Sequence, residues 1–171
     1  MRASWMSPKV QVRESPVHGR GIVAVLDIAA GETVLVWGGA SYTDRAGAVE
    51  ARRSGRSVMQ WDADVFSVET NDCDECFLIN HSCDPSAWMT DAFTICARRD
   101  MVVGEEVTVD YALWEFDDAY VSSWICRCGS PLCRGRVTGV DWKDPILRKR
   151  YRGHFSPLLN KRIELEEDPN R

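Results

Sequence analysis

No apolar run in the chain approaches the ~20 residues that a membrane-spanning helix requires. Residues 1–8 carry no hydrophobic signal core, so the sequence reads as intracellular, with no membrane partner. No internal repeat and no low-complexity linker interrupts it. Between Arg56 and Arg98 there is no lysine or arginine at all, although Asp62, Asp64, Glu69, Asp72, Asp74, Glu75, Asp84 and Asp91 fall there. The cysteine count, seven, is odd. In an intracellular chain this favours a metal or reduced thiols over disulfides.

What is present fits one ordinary folded unit with a real core: 171 residues, 44% apolar and 27% charged. The net charge of −5 argues against a dedicated nucleic-acid binder. Basic residues gather late, at Arg148, Lys149, Arg150, Arg152, Lys161 and Arg162. The acidic middle would raise the local concentration of a cationic partner, and a merely solvated acidic face explains the same charges equally well.

The central stretch is Phe77-Leu78-Ile79-Asn80-His81-Ser82-Cys83-Asp84-Pro85. Three apolar residues fit a buried strand or a short hydrophobic approach. Behind them stand an amide, an imidazole, a hydroxyl, a thiol and a carboxylate, all needing partners if buried. A surface turn accounts for Asp84-Pro85 and poorly for Asn80 to Cys83. The stretch reads as a site.

Around it, β-branched clusters at residues 10–13, 22–27, 33–37, 60–68 and 93–97 predict short strands. Gly104 opens a turn into Val107-Thr108-Val109-Asp110-Tyr111, whose period of two turns the valines and Tyr111 one way and Thr108 and Asp110 the other. That parity predicts a buried Tyr111 ring whose hydroxyl needs a partner, a backbone carbonyl included. Residues 41–60 hold the helical or irregular insertion, and residues 71–76 a polar turn. Asp144 before Pro145 predicts a helix start, and a second short helix follows over 158–165, making the tail a packed extension.

Cys126-Arg127-Cys128-Gly129-Ser130-Pro131-Leu132-Cys133 places three thiols in eight residues. Zinc, held tetrahedrally by four protein ligands in a structural site, explains this best. Cys83 is the attractive fourth donor, and Cys73 or Cys76 the alternatives. Cys73 and Cys76 form a C-x-x-C pair without a thioredoxin-like setting, and read as structural or incidental thiols.

Four segments stand in an order that resembles SET-domain protein lysine methyltransferases with a post-SET zinc segment. They are His18-Gly19-Arg20-Gly21, Asn80 to Pro85, Gly104 to Tyr111, and Cys126-x-Cys128-x4-Cys133. The resemblance covers roughly residues 10–136. It implies a mainly β, SET-type fold of small curved sheets with a pseudoknot-like C-terminal arrangement and short helices. The division it suggests is a SET domain over 1–116, a post-SET zinc segment over 117–138 and a helical extension over 139–171.

The implied activity is methyl transfer from S-adenosylmethionine to a lysine amine of a basic, histone-like protein or peptide. An inactive SET-like module gripping a basic peptide is the alternative. By resemblance, Gly19, Arg20, Gly21, Asn80, His81, Tyr111 and Leu132 contact the cofactor, and Tyr111 is catalytic. Cys83, Cys126, Cys128 and Cys133 hold one structural zinc. Trp61, Phe66, Trp88, Trp114 and Phe116 are candidates for an aromatic lysine channel, although each is more often simply core. Ser86 stands where the family motif ends in Asn, and Val109 where many relatives carry Tyr or Phe.

Overall fold

The computed structural model describes residues 4–38, 41–56, 58–62, 64–68 and 75–168. Three small sheets form among them. The first runs in the order β1-β4-β10-β9, built from Trp5–Met6, Thr33–Val36, Thr94–Ala97 and Ala87–Met89, all antiparallel. The second runs β2-β3-β11-β8, from Val10–Glu14, Arg20–Ala24, Glu106–Val109 and Asn80–His81. The third, β5-β7-β6, comprises Ser41–Thr43, Val65–Val68 and Val58–Asp62.

One pairing positions the site. β11 lies antiparallel to β3 on one side and parallel to β8 on the other, with Thr108 opposite Asn80 and Val109 opposite His81. Parallel neighbours need a long crossover; here residues 82–105 supply it, including β9 and β10. Ser82 N–H extends the pairing by donating to the Val109 carbonyl over 3.0 Å. The strand directly before the Tyr111 turn is thereby fixed beside the central stretch. Ser86 adds a second tie: its Oγ donates to the Glu106 carbonyl at 3.1 Å and accepts from Thr108 N–H at 3.0 Å.

Several sequence expectations shift in detail. β11 ends at Val109, and residues Tyr111–Leu113 form a 3-10 turn capped by the Asp110 carboxylate, which accepts from Ala112 N–H. Alternation therefore stops before Asp110, which is completely buried. Phe77 and Leu78 belong to a 3-10 turn, Glu75–Leu78, so they approach the site as a turn and not as a strand. Within 41–60 the helix α1 spans Arg45–Arg53, capped by Asp44, with Ala48 and Ala51 inward. Of the expected polar turn, residues 71–74, Cys73 among them, lie outside the described residues.

The tail contains α2 (Pro145–Arg150), capped by Asp144, and α3 (Pro157–Glu167), capped by Ser156. Its apolar side joins the main core. Trp142, Leu147, Tyr151, Phe155 and Leu159 belong to one cluster with Ile22, Val34, Leu35, Ile95, Val107, Val109 and Leu113. Ser156 N–H also donates to the Leu113 carbonyl over 2.7 Å, which stitches the extension to the turn after Tyr111.

Candidate active site

Tyr111 is held at three points. Its main-chain N–H donates to His81 Nδ1 at 3.3 Å, its hydroxyl to the Ile79 carbonyl at 2.9 Å, and its ring meets those of His81, Trp114 and Trp124 at 5.2, 5.2 and 6.1 Å. Burial pushes the phenol well above its ordinary pKa, with weaker contributions from Tyr120 and Glu106. At neutral pH it is a neutral hydroxyl, suited to orienting a partner and not to removing a proton.

His81 is buried, and burial lowers its pKa to about 4 against an opposing effect of Asp110. Its Nδ1 lies 3.7 Å from Asp110 Oδ1. Because Nδ1 accepts from Tyr111 N–H, this proximity is not an ion pair; the ring is neutral with its proton on Nε2. That Nε2–H points at Cys83 Sγ, 3.3 Å away. One imidazole thus links the tyrosine turn to the cysteine cluster.

The amide of Asn80 works on the loop before β3. Its Nδ2 donates to the carbonyls of His18 (3.1 Å) and Arg20 (3.0 Å) and to Glu106 Oε1 (2.7 Å). Glu106 Oε2 accepts from Ser15 Oγ at 2.8 Å. Gly21 leaves the room for this knot: a Cβ there would sit 2.1 Å from Glu106 Oε1 and 2.9 Å from Asn80 Nδ2. Its glycine is explained by packing against side chains, whereas Gly19, at φ +53° with open space beside it, is the glycine that the loop's conformation requires.

Cys83, Cys126, Cys128 and Cys133 converge, their Sγ atoms all lying within 4.8 Å of one another. The Cys83–Cys126 separation is 3.9 Å, and a tetrahedral zinc with Zn–S near 2.3 Å implies about 3.8 Å. The four cysteines can hold a metal ion. Cys83 Sγ accepts from His81 Nε2–H and from Arg134 N–H, each at 3.3 Å, the pattern of a ligating thiolate held by outer partners. Burial, helped by Asp110 and Cys128 and opposed by Arg134, pushes the Cys83 thiol up to about 11, and burial raises Cys126 too. Burial also acts to raise Cys128, but backbone and thiol hydrogen bonds bring it down to about 7. A cation overrides that spread by stabilising every thiolate. Cys76 lies elsewhere, its thiol directed at the Trp5 carbonyl.

Two cavities meet at Tyr111. A small one, about 110 Å³, is lined by Val17, His18, Asn80, His81, Tyr111, Trp124 and the stretch Ile125 to Arg127. A larger cleft, about 590 Å³, has Trp37, Phe77, Ile79, Tyr111, Trp114 and Trp124 on its aromatic side. Glu115 and Asp117, both buried, also line it, paired with Arg52 at 3.0 Å and Arg45 at 2.5 Å. Burial raises the Glu115 carboxyl above its usual range, and Arg52 opposes this.

Of the residues read from the sequence, Asn80, His81 and Tyr111 line the small cavity, while Gly19, Arg20 and Gly21 stand behind its His18 edge and Leu132 lies outside its lining, half exposed. Of the five aromatics, Trp114 alone lines the cleft. Trp61 packs on Phe93, Trp88 stacks on His154, Phe66 is core, and Phe116 lies beneath Arg162. Trp124, shared by both cavities, stood next to the cysteine run without being singled out. Asp110, Arg134 and Glu115 were likewise missed; only their position beside the motifs marked them.

Comparison with known proteins decides the family. The family model of the SET domain matches residues 19–112. The chain belongs to the SET-domain family. It is 34% identical over 137 residues to the histone-lysine N-methyltransferase trithorax of Drosophila virilis, covering 73% of this chain and 4% of that protein. It is 31% identical over 140 residues to histone-lysine N-methyltransferase 2B of Homo sapiens, covering 73% and 5%, and 28% identical over 148 residues to the histone-lysine N-methyltransferase ATX2 of Arabidopsis thaliana, covering 75% and 13%. The chain therefore spans only a small part of these relatives' lengths. Among the described residues, no helix is long and apolar enough to cross a membrane.

Proposed function

We propose that this SET domain is an S-adenosylmethionine-dependent protein lysine methyltransferase acting on a basic, histone-like protein, with one structural zinc on its four cysteines. The observation that carries this reading is that Tyr111 and Trp124 line both cavities at once. A donor on one side and an amine on the other would meet at the Tyr111 ring.

S-adenosylmethionine would supply an electrophilic sulfonium methyl to the amine: the N–C bond would form as the S–C bond breaks, and the neutral thioether would leave. The small cavity is below the ~300 Å³ and upward that encloses a whole ligand of that size. Asn80, His81 and Trp124 would therefore hold one end, and the remainder would lie along the open edge beside Gly19 and Arg127. Asn80 holds the His18–Arg20 backbone that forms that edge.

The chain's own residues supply alignment. Fixing two reactants in a reactive geometry accounts for several kcal/mol of barrier, up to about 7–11 in the best cases. The Tyr111 hydroxyl and the Ile79 carbonyl form a polar pair within reach of the cleft, between the walls of Trp37, Trp114 and Trp124. Aromatic walls disfavour an ammonium that lacks a counter-ion, which favours the neutral, nucleophilic amine. Glu115 and Asp117, which also line the cleft, are already paired with Arg52 and Arg45.

Incubation with labelled S-adenosylmethionine and mixed histones tests the reading. Label should appear on lysine and disappear with Tyr111→Phe. Binding of a basic peptide without any transfer would instead establish a binding module.

A further inference from the structure

The buried carboxylate of Asp110 is the centre of a joint that the methyl-transfer reading leaves unused. It has no exposure to solvent. Arg134 grips it with two parallel bonds, Nη1 to Oδ2 at 2.8 Å and Nη2 to Oδ1 at 2.6 Å. The third side-chain donor comes from the far end of the chain: Tyr151, at the C-terminal end of α2 and fully buried, gives its hydroxyl to Oδ2 at 3.1 Å. A main-chain bond, from Ala112 N–H to Oδ1 at 3.1 Å, starts the 3-10 turn whose first residue is Tyr111, and His81 Nδ1 lies 3.7 Å from the same oxygen.

Two further residues of the extension reach the same joint. Asp141 accepts from Arg134 Nε at 3.0 Å, so this guanidinium is shared between the two acids. Arg150 Nη1 donates to the Cys83 carbonyl at 3.1 Å. A core helix could be anchored by apolar contacts alone. Burying a phenol hydroxyl and a carboxylate together gains little stability over an apolar pair, yet it fixes direction, since hydrogen bonds weaken steeply off axis.

We infer that the C-terminal extension is a working part of the site, and that Tyr151 is a positioning residue which, through Asp110, sets the orientation of Tyr111. This rests on the role assigned to Tyr111 above. Tyr151 touches neither cavity; it acts by holding Oδ2 so that Oδ1 stays on Ala112 N–H and the tyrosine turn keeps its aim at Ile79. Trimming the extension back would leave Oδ2 with Arg134 alone, and the carboxylate with only Arg134 and Ala112 N–H to hold it.

The test compares Tyr151→Phe, which keeps the ring and removes one hydroxyl, with Phe155→Leu. Phe155 packs edge-on to Tyr151 at 5.9 Å and is equally buried, but makes no bond to Asp110. Both variants are to be read for thermal stability, bound metal, kcat, both KM values, and the NMR signal of Tyr111 in protein carrying ring-labelled tyrosine, assigned by its loss in Tyr111→Phe. Tyr151→Phe should shift the Tyr111 signal and lower kcat about tenfold, with KM values within about twofold and metal retained. Phe155→Leu should lower the melting temperature at least as far without either effect. If the two variants match in kcat and in the Tyr111 signal, Tyr151 is only core and the inference is overturned. If the wild-type protein transfers no methyl, the functional reading fails separately; the Tyr111 signal then decides the positioning claim, and an unmoved signal overturns it.

Discussion

The Tyr111 hydroxyl donates to the main-chain carbonyl of Ile79 across 2.9 Å, joining the turn that follows β11 to the segment that leads into β8. Both residues line the larger cleft, and Tyr111 lines the small cavity as well. Removing it with Tyr111→Phe leaves the ring contacts to His81 and Trp124 in place. Methyl transfer should fall about 100-fold or more, the scale expected when a reacting group loses its alignment. Cofactor binding, measured by calorimetry, should stay within a few-fold. Near-normal turnover would remove Tyr111 from the mechanism.

Cys128→Ser takes away one of four convergent thiols. The variant should carry less than one equivalent of zinc by elemental analysis, and residues 124–135 should become the first site of limited proteolysis. Chelation of the wild-type protein should reproduce both effects, because in such a site the metal's binding energy is part of the local folding energy. Unchanged metal content would refute the ligand set.

Gly21→Ala introduces a methyl group where Glu106 and Asn80 already touch. The Glu106 side chain can swing away only by giving up Asn80 Nδ2 and Ser15 Oγ. We expect a loss of about 1–3 kcal/mol in urea unfolding, together with weaker cofactor binding as the His18–Arg20 backbone loosens. Stability equal to wild type would show that Glu106 moves freely.

Burial raises the folded-state pKa of Glu115 above its usual 4.5. A carboxyl raised in this way binds more protons in the folded state than in the unfolded one. Its contribution is therefore most favourable below 4.5 and declines as pH rises through the window above that value. Glu115→Gln removes this dependence. The variant's stability relative to wild type should climb as pH goes from 4 toward 7 in paired urea titrations; a flat or falling difference would contradict the shift.

Much of the site could be read in the residues because its chemistry is local. Asn80, His81 and Cys83 share one stretch, and the three later thiols share another. Their meeting needed only a fourth thiol to complete a tetrahedron, and Cys83 lies where Cys76 does not. Alternation was a weaker guide. It continued β11 through Tyr111, whereas Asp110 turns the chain by capping Ala112 N–H; local side-chain bonding overrode strand period. Of the five aromatic candidates only Trp114 lines the cleft; for Trp61, Phe66, Trp88 and Phe116 the core alternative holds, since each has ordinary tertiary partners. Arg134 and Tyr151 were invisible for another reason: both meet Asp110 only after the chain has folded back across the tyrosine turn.

The parallel seam between β8 and β11 has a consequence during synthesis. Asn80 and His81 leave the ribosome well before residues 106–109, and the residues that complete their surroundings, Cys126 to Cys133 and then Tyr151, emerge later still. A growing chain thus carries its central stretch with the earlier His18–Arg20 loop to lie against, but without its strand partner β11. The surroundings of Tyr111 are complete only once Tyr151 has emerged and α2 and α3 can pack against the earlier pieces.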